Sequence, residues 1–131
     1  MPLRIRVFPE QHLVLATGHG KVTDDDMFRY QREFWTRRDV AGFDEIVDMS
    51  LAEDFDIPTP ERLQELAEVS AGIDPPTMSP RLAIVAPDHL AFALGRMYGL
   101  YREMHPLNTK QVEVFRTLAE ALRFLGIEEL S

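Results

Sequence analysis

The stretch RLAIVAPDHLAFALGRMYGLYREM, residues 81–104, decides the fold of this chain. Its first part, residues 82–86, is an unbroken apolar run of the kind found in strands that are buried on both faces. Pro87 ends the run, and Asp88 is a good N-cap for a helix. Apolar residues then recur at helical spacing and predict that one stripe of this helix faces a core. The stripe consists of Leu90, Ala93, Leu94, Met97, Tyr101 and Met104.

The same kind of pattern predicts the remaining elements. Apolar runs or alternations predict strands at 3–7, 13–17, 45–49 and 112–115. Helices are expected to begin after Thr23, Thr59 and Thr117, because threonine is a common N-cap residue. The resulting order is β-β-α-β-α-β-α-β-α in a single domain, 1–131. This alternation predicts an α/β fold with a mainly parallel five-stranded sheet, whose first strand is an antiparallel edge.

Composition excludes several classes of function. The formal net charge is −8, which argues against a nucleic-acid partner because phosphate contacts need clustered lysine and arginine. The chain has no cysteine, so disulfides, thiolate catalysis and cysteine-ligated zinc are excluded. No other cofactor is indicated by a motif. We therefore expect a cofactor-free protein that does not bind nucleic acid.

Location is predicted from the N-terminal residues and from hydropathy. The first residues, MPLRIRVF, alternate as a strand does and lack the pattern of a signal peptide. No apolar run approaches the length of a membrane-spanning segment. We expect a cytoplasmic protein without an integral membrane segment.

The end of the chain carries a family resemblance. Residues 114–125, VFRTLAEALRFL, are a predicted strand followed by a helix that contains Glu-Ala-Leu and then hydrophobic residues. With this ending and its element order, the chain resembles the SpoIIAA-like fold of STAS domains and anti-sigma factor antagonists. It resembles most the uncharacterised bacterial STAS-like proteins. The resemblance implies strands lying side by side in order, helices mostly on one face, and a non-enzymatic interaction or regulatory domain that acts on a protein partner.

One departure from this family bears on regulation. Antagonists carry a strand ending like Asp-Leu-Ser, then an Asp-Ser-Ser-Gly loop in which a serine is phosphorylated. Here the strand ends Asp-Met-Ser at Ser50, and Asp56 stands six residues further on, but Ile-Pro-Thr follows it. The phospho-acceptor serine is missing, and the nearby Thr59 is explained by its capping role. We therefore expect the kinase-operated switch to be absent.

Polar residues after the strands are candidates for a site. His19 lies between two glycines at a strand end, where α/β folds often bind ligands, although a turn histidine is the interpretation we favour. Asp48, Asp54 and Asp56 could hold a divalent cation, but the glycine-defined loop of such sites is missing. A solvated acidic loop is therefore favoured. The candidate functional surface comprises His19, Asp48, Ser50, Asp56, Thr59, Asp88 and His89.

Two alternative functions remain open at this stage. The first is a binding protein for a small apolar ligand or acyl lipid, with a pocket between helices and sheet lined by Met27, Phe34, Met97 and Tyr101. The second is a cofactor-free hydrolase that uses Ser50, Asp88 and His89. The sequence contains no Gly-x-Ser-x-Gly nucleophile elbow, so the hydrolase is the less favoured of the two.

The strand patterns also predict a homodimer. Ile46, Val85 and Phe115 would lie on the sheet face opposite the helices if all helices wound along one face. A contiguous apolar face of this kind is too large to leave in water. A second copy across a two-fold axis would cover it. The C-terminal tail or the proline-rich loop at 73–80 is the alternative cover.

Overall fold

The computed structural model describes residues 2–131, and its elements follow the predicted order with two short strands added. The strands are β1 Leu3–Phe8, β2 Leu13–Gly18, β3 Gly20–Val22, β4 Asp44–Asp48, β5 Ala52–Phe55, β6 Arg81–Val85 and β7 Gln111–Phe115. The α-helices are α1 Asp24–Arg29, α2 Pro60–Ile73, α3 His89–Glu103 and α4 Leu118–Phe124. Helix α1 continues directly as a π-helical turn, Tyr30–Phe34.

Five strands form the main sheet, in the order β1-β2-β4-β6-β7. Strands β1 and β2 are antiparallel, with Leu3 opposite Gly18. The other neighbouring pairs are parallel. The predicted α/β fold is therefore confirmed, with β1 as the antiparallel edge and β6 between two parallel neighbours.

Strands β3 and β5 pair in parallel as a separate two-stranded sheet, with Val22 opposite Phe55. The segment after residue 50 was predicted to be a solvated acidic loop, and that prediction is wrong for residues 52–55, which form β5. The cause is tertiary: Val22 is only 2% exposed, so the chain on either side of it is held against the core. A strand of four residues is too short to produce a clear apolar alternation.

The helix starts are confirmed because each predicted cap is formed. The side chains of Thr23, Thr59, Asp88 and Thr117 each accept a hydrogen bond from the backbone N–H three residues later. Thr23 and Thr117 also complete capping boxes with Asp26 and Glu120. These are short-range contacts, which is why the sequence predicts them well.

The inward face of α3 differs from the prediction. Gly95, Tyr98 and Arg102 are its buried residues, whereas Leu90 and Met104 of the predicted stripe are 44% and 77% exposed. Glycine lets the helix come close to the sheet: a Cβ at Gly95 would lie 3.2 Å from a methyl carbon of Val114. Leu94 and Tyr101 of the predicted stripe do pack against the core. The fully buried positions are nevertheless a glycine and two paired polar residues, which an apolar pattern alone does not reveal.

Helices α1, α2 and α3 pack on one face of the main sheet, and α4 packs on the other. Ala121 and Leu125 lie against Ile46 and Val85, all of which are at most 5% exposed. The C-terminal residues Ile127 and Leu130 extend this cover. The apolar face that favoured a homodimer is therefore covered by the chain itself, and that argument for a homodimer is wrong.

Within residues 2–131, every helix is too short or too polar to cross a membrane.

Candidate functional site

A cavity of about 140 Å³ lies between the main sheet and helices α1, α2 and α3. Its walls are mostly apolar and come from β4 and β6 of the main sheet, from β3 and β5, and from the three helices. The lining residues are Val22, Thr23, Asp24, Met27, Phe28, Gln31, Glu45, Val47, Met49, Phe55, Asp56, Pro58, Arg62, Leu63, Leu66, Leu82, Ile84, Ala91, Leu94, Gly95 and Tyr98.

Small residues on α3 account for the empty space. Ala91 and Gly95 face the cavity, and neither has a side chain long enough to fill it. Ile84 of the central strand is only half-buried for the same reason, since its side chain borders this space. Ala91 adds little bulk to this wall, whereas at Gly95 a Cβ would already contact Val114 and Ile84.

The exposed rim of the cavity is polar and is organised by Arg62 of α2. Its Nε donates to Asp24 at 3.0 Å and its Nη2 donates to Asp25 at 2.6 Å, both at the start of α1. The guanidinium also lies 3.9 Å from the centre of the Phe28 ring. These contacts join the N-terminal ends of α1 and α2 across the opening of the cavity.

The inner wall contains three buried polar side chains, Gln31, Glu45 and Tyr98. The Tyr98 hydroxyl is 2.7 Å from the Ser70 hydroxyl, so both groups are satisfied. Gln31 is 6% exposed, and its side-chain amide makes no hydrogen bond to any residue between 2 and 131. Gln31 lines the cavity, and its amide is available to bind a molecule there.

Glu45 is the centre of a buried network. One carboxylate oxygen accepts from the Tyr30 hydroxyl at 2.6 Å and from the Trp35 indole N–H at 3.1 Å. The other accepts from the Lys110 ammonium at 2.8 Å. The same ammonium lies 3.8 Å from the centre of the Trp35 ring. The carboxylate is thus fully occupied, and the network ties β4 to the π-helical turn and to the residue before β7.

Burial raises the pKa of both tyrosines at this site. The pKa of Tyr30 lies well above its usual value because of burial and because the Glu45 carboxylate is adjacent. The pKa of Tyr98 is also raised by burial, although Arg102 and Ser70 act in the opposite direction. Both phenols are therefore protonated at neutral pH, and they act as hydrogen-bond donors rather than as bases.

The cavity lies between the helices and the sheet, as the sequence predicted, but most of the predicted lining residues lie elsewhere. Met27 lines the cavity as predicted. Phe34 is buried in the core against Tyr30 and Trp35, and Met97 lies on the outer side of α3 with 36% of its surface exposed. Tyr101 also lies outside the lining. Met97 is missing from the lining because it lies on the outer side of α3, whereas Tyr101 packs against the core away from the cavity.

Of the candidate functional surface, only Asp56 borders the cavity. Asp48 is buried and accepts from the Ser50 N–H at 2.9 Å, which shapes the turn after β4. The Thr59 hydroxyl serves as the N-cap of α2. The backbone N–H of His19 donates to the Pro2 carbonyl at 2.7 Å, which holds the end of β2 against the start of the chain.

The hydrolase residues lie after β4 and β6, two adjacent parallel strands. In the described part of the chain, no hydrogen bond joins Ser50, Asp88 and His89 to one another. Asp88 instead accepts from the Ala91 N–H at 2.8 Å, and a ring nitrogen of His89 is 3.3 Å from the Arg116 guanidinium. The hydrolase thus receives no support from the geometry.

The acidic residues of this region have other partners. Asp54 accepts from the Phe55 N–H at 2.9 Å, and Asp56 lies 3.8 Å from the Lys21 ammonium. Among residues 2–131, no three histidine, aspartate or glutamate side chains are grouped so as to hold a metal ion.

Comparisons with known proteins add evidence on the fold. No protein-family model matches the chain. No curated protein matches it either. A solved structure does: an uncharacterized protein from the DUF3478 family with a SpoIIAA-like fold, from Shewanella loihica PV-4. The alignment covers 94% of this chain and 91% of that chain at 14% identity, with a TM-score of 0.56. Likeness at this identity shows the fold alone, and we conclude that the chain adopts the SpoIIAA-like fold shared by STAS domains.

Proposed function

We propose that this chain is a non-enzymatic STAS-like regulatory domain that binds a small, mainly apolar ligand between its sheet and α1 to α3. The observation that carries the proposal is the apolar cavity of about 140 Å³. An engineered protein cavity of about 150 Å³ stays dry and binds benzene. The cavity here therefore suits one small aromatic molecule or a short alkyl group.

Gln31 indicates that the ligand also carries a polar group. Its side chain lines the cavity and makes no hydrogen bond to residues 2–131, so the amide is available to an occupant. The Gln31 side chain can both donate and accept, because it has a carbonyl oxygen and an NH₂ group. A ligand with an apolar body and one hydrogen-bonding atom would complete its bonding.

The remaining polar side chains favour binding over catalysis. Glu45 is held by Tyr30, Trp35 and Lys110, and Tyr98 is held by Ser70. A general base or nucleophile must be free to reach the reacting atom. The regulatory input in this proposal is ligand occupancy and not phosphorylation, since Thr59 serves as a helix cap.

Filling the cavity should weaken ligand binding. Ala91→Phe places a ring in the cavity from α3, and we expect it to weaken the binding of indole about ten-fold or more. Ala119→Phe is the matched control, because Ala119 of α4 is exposed and lies outside the lining. Calorimetric titration measures both variants, with circular dichroism to check the fold. Equal indole affinity in the two variants would place binding elsewhere.

Gln31→Leu tests the polar contact separately from the apolar one. Indole and indene have the same shape, but only indole carries an N–H donor. We expect the variant to weaken indole binding roughly 2- to 13-fold, the value of one net hydrogen bond, and to leave indene binding unchanged. An equal loss for both compounds would mean that Gln31 shapes the cavity and does not bind its occupant.

A further inference from the structure

The outer side of α3 is apolar along its whole length. Leu90, Met97 and Leu100 are 44%, 36% and 58% exposed, and Met104, which ends the helix, is 77% exposed. Ala93 completes the set and is also exposed. Successive members are alternately three and four residues apart, which is the a and d spacing of a helix that packs lengthwise against another helix.

This outer stripe, defined as Leu90, Ala93, Met97, Leu100 and Met104, is unusual for a surface helix. A helix on a sheet normally presents its polar side to water. Here the buried side holds Gly95, Tyr98 and Arg102, while the outer side holds the larger aliphatic residues. The stripe is about 21 Å long at 1.5 Å per residue. A contiguous apolar surface of this kind marks an interaction site.

We propose that the outer stripe is the contact surface of a homodimer in which α3 packs antiparallel against α3 of a second copy. A two-fold axis between Tyr98 and Gly99 places each residue opposite the partner residue that lies equally far from the axis in the other direction along the helix. Met97 then faces the partner's Leu100, and Met104 faces the partner's Ala93. Each pairing occurs twice by symmetry. The longest exposed side chain thus meets the smallest, so the contact packs without a gap.

Charge complementarity favours the same arrangement. Arg96 and Glu103 are exposed, lie seven residues apart on one flank of the stripe, and form no ion pair within residues 2–131. In the antiparallel pairing, Arg96 comes beside the partner's Glu103, and the reciprocal pair forms on the other side of the axis. A parallel pairing would set Met104 against the partner's Met104 and Ala93 against the partner's Ala93, which leaves both flanking charges without partners.

A membrane surface is the alternative partner for the outer stripe, and the charges that flank the stripe do not favour it. Helices that lie in a membrane surface carry lysine and arginine along the polar flanks. The flank here carries one arginine and one glutamate, and the net charge of the chain is −8. This surface is also distinct from the sheet face covered by α4 and from the ligand cavity, so the dimer is independent of ligand binding.

Sedimentation velocity across micromolar concentrations tests the dimer. We expect the unmodified chain to dimerise, and Leu100→Glu to raise the dissociation constant at least ten-fold by placing two carboxylates in the contact. Leu51→Glu is the control, because Leu51 is 57% exposed and Leu100 is 58% exposed. Circular dichroism checks that both variants are folded. A monomer at all concentrations, or an unchanged dimer with Leu100→Glu, would overturn the proposal.

Two further variants test the orientation. Arg96→Glu and Glu103→Arg should each weaken the dimer, and the double variant should restore it. The chain has no cysteine, so single cysteines can be introduced for crosslinking. A mixture of Ala93→Cys and Met104→Cys should form a mixed disulfide dimer under oxidation. Met104→Cys dimers alone would indicate parallel helices and overturn the arrangement. Binding of the monomer to phosphatidylcholine vesicles through Leu100, without a dimer, would identify a membrane as the occupant and overturn it too.

Discussion

Lys110→Met is expected to lower the free energy of unfolding by about 3–5 kcal/mol, the usual cost of removing one partner from a buried ion pair. The Lys110 and Glu45 side chains are only 6% and 1% exposed, and their charged atoms are 2.8 Å apart. Without the ammonium, the Glu45 carboxylate stays buried with the Tyr30 hydroxyl and the Trp35 N–H as its remaining partners. Urea denaturation followed by circular dichroism measures the change.

The double variant Glu45→Gln with Lys110→Met should recover most of that loss. Glutamine is neutral, and its carbonyl oxygen can still accept from Tyr30 and Trp35. Lys21→Met is the surface control, because Lys21 lies 3.8 Å from Asp56 and its side chain is 62% exposed. Exposed ion pairs contribute about 0–1 kcal/mol. A loss for Lys110→Met no larger than for Lys21→Met would mean that the buried pair is unimportant for stability.

Asp74→Ala is expected to lower the free energy of unfolding by about 3–5 kcal/mol for a related reason. Both of its carboxylate oxygens accept from Arg102 Nη2, at 2.7 and 2.8 Å, and one accepts from the Thr109 N–H at 3.0 Å. The Arg102 and Asp74 side chains are 1% and 3% exposed. Removing the carboxylate leaves a buried guanidinium uncompensated and releases the loop before β7 from the end of α2.

Asp39→Ala is the matched control, since Asp39 pairs with Arg37 at the surface and its side chain is 60% exposed. We expect that variant to cost less than about 1 kcal/mol. Adding Arg102→Met to Asp74→Ala should recover part of the loss, because the unpaired charge is then removed as well. Similar unfolding curves for Asp74→Ala and Asp39→Ala would contradict the assigned role of Asp74.

The orientation of α3 shows where reasoning from the sequence stopped. Its start at Asp88 was predicted correctly, because a cap depends on a residue and the backbone three positions later. The inward face of α3 was not predicted correctly, because Leu90 and Met97 have the spacing of a buried stripe and yet lie on the outer side. Gly95 decides the inner side, since only glycine there lets the helix approach Val114 so closely.

The sequence predicted the location of the candidate site, between the helices and the sheet, but not most of the residues that line it. Apolar spacing indicated a pocket between helices and sheet, and Met27 lines the cavity. Arg62 was missed because polar residues on a helix are ordinarily interpreted as solvent-exposed. Gln31 was expected on the inward stripe of α1, but no role in a site was assigned to it. Glu45 carried a faint signal, as a charged residue in an otherwise apolar strand, but nothing in the sequence pairs it with Lys110 across 65 positions.

The sequence by itself therefore determined the five strands of the main sheet, the helix starts and the parallel α/β order, because each depends on contacts within a few residues or on the spacing of apolar side chains. Tertiary structure alone decided that α4 covers the second sheet face, that Gln31 lines the cavity, and that α3 presents aliphatic residues to the outside. These features depend on how segments that are distant in sequence pack against one another. That packing, and not the polarity of a single residue, decides which side chains are buried.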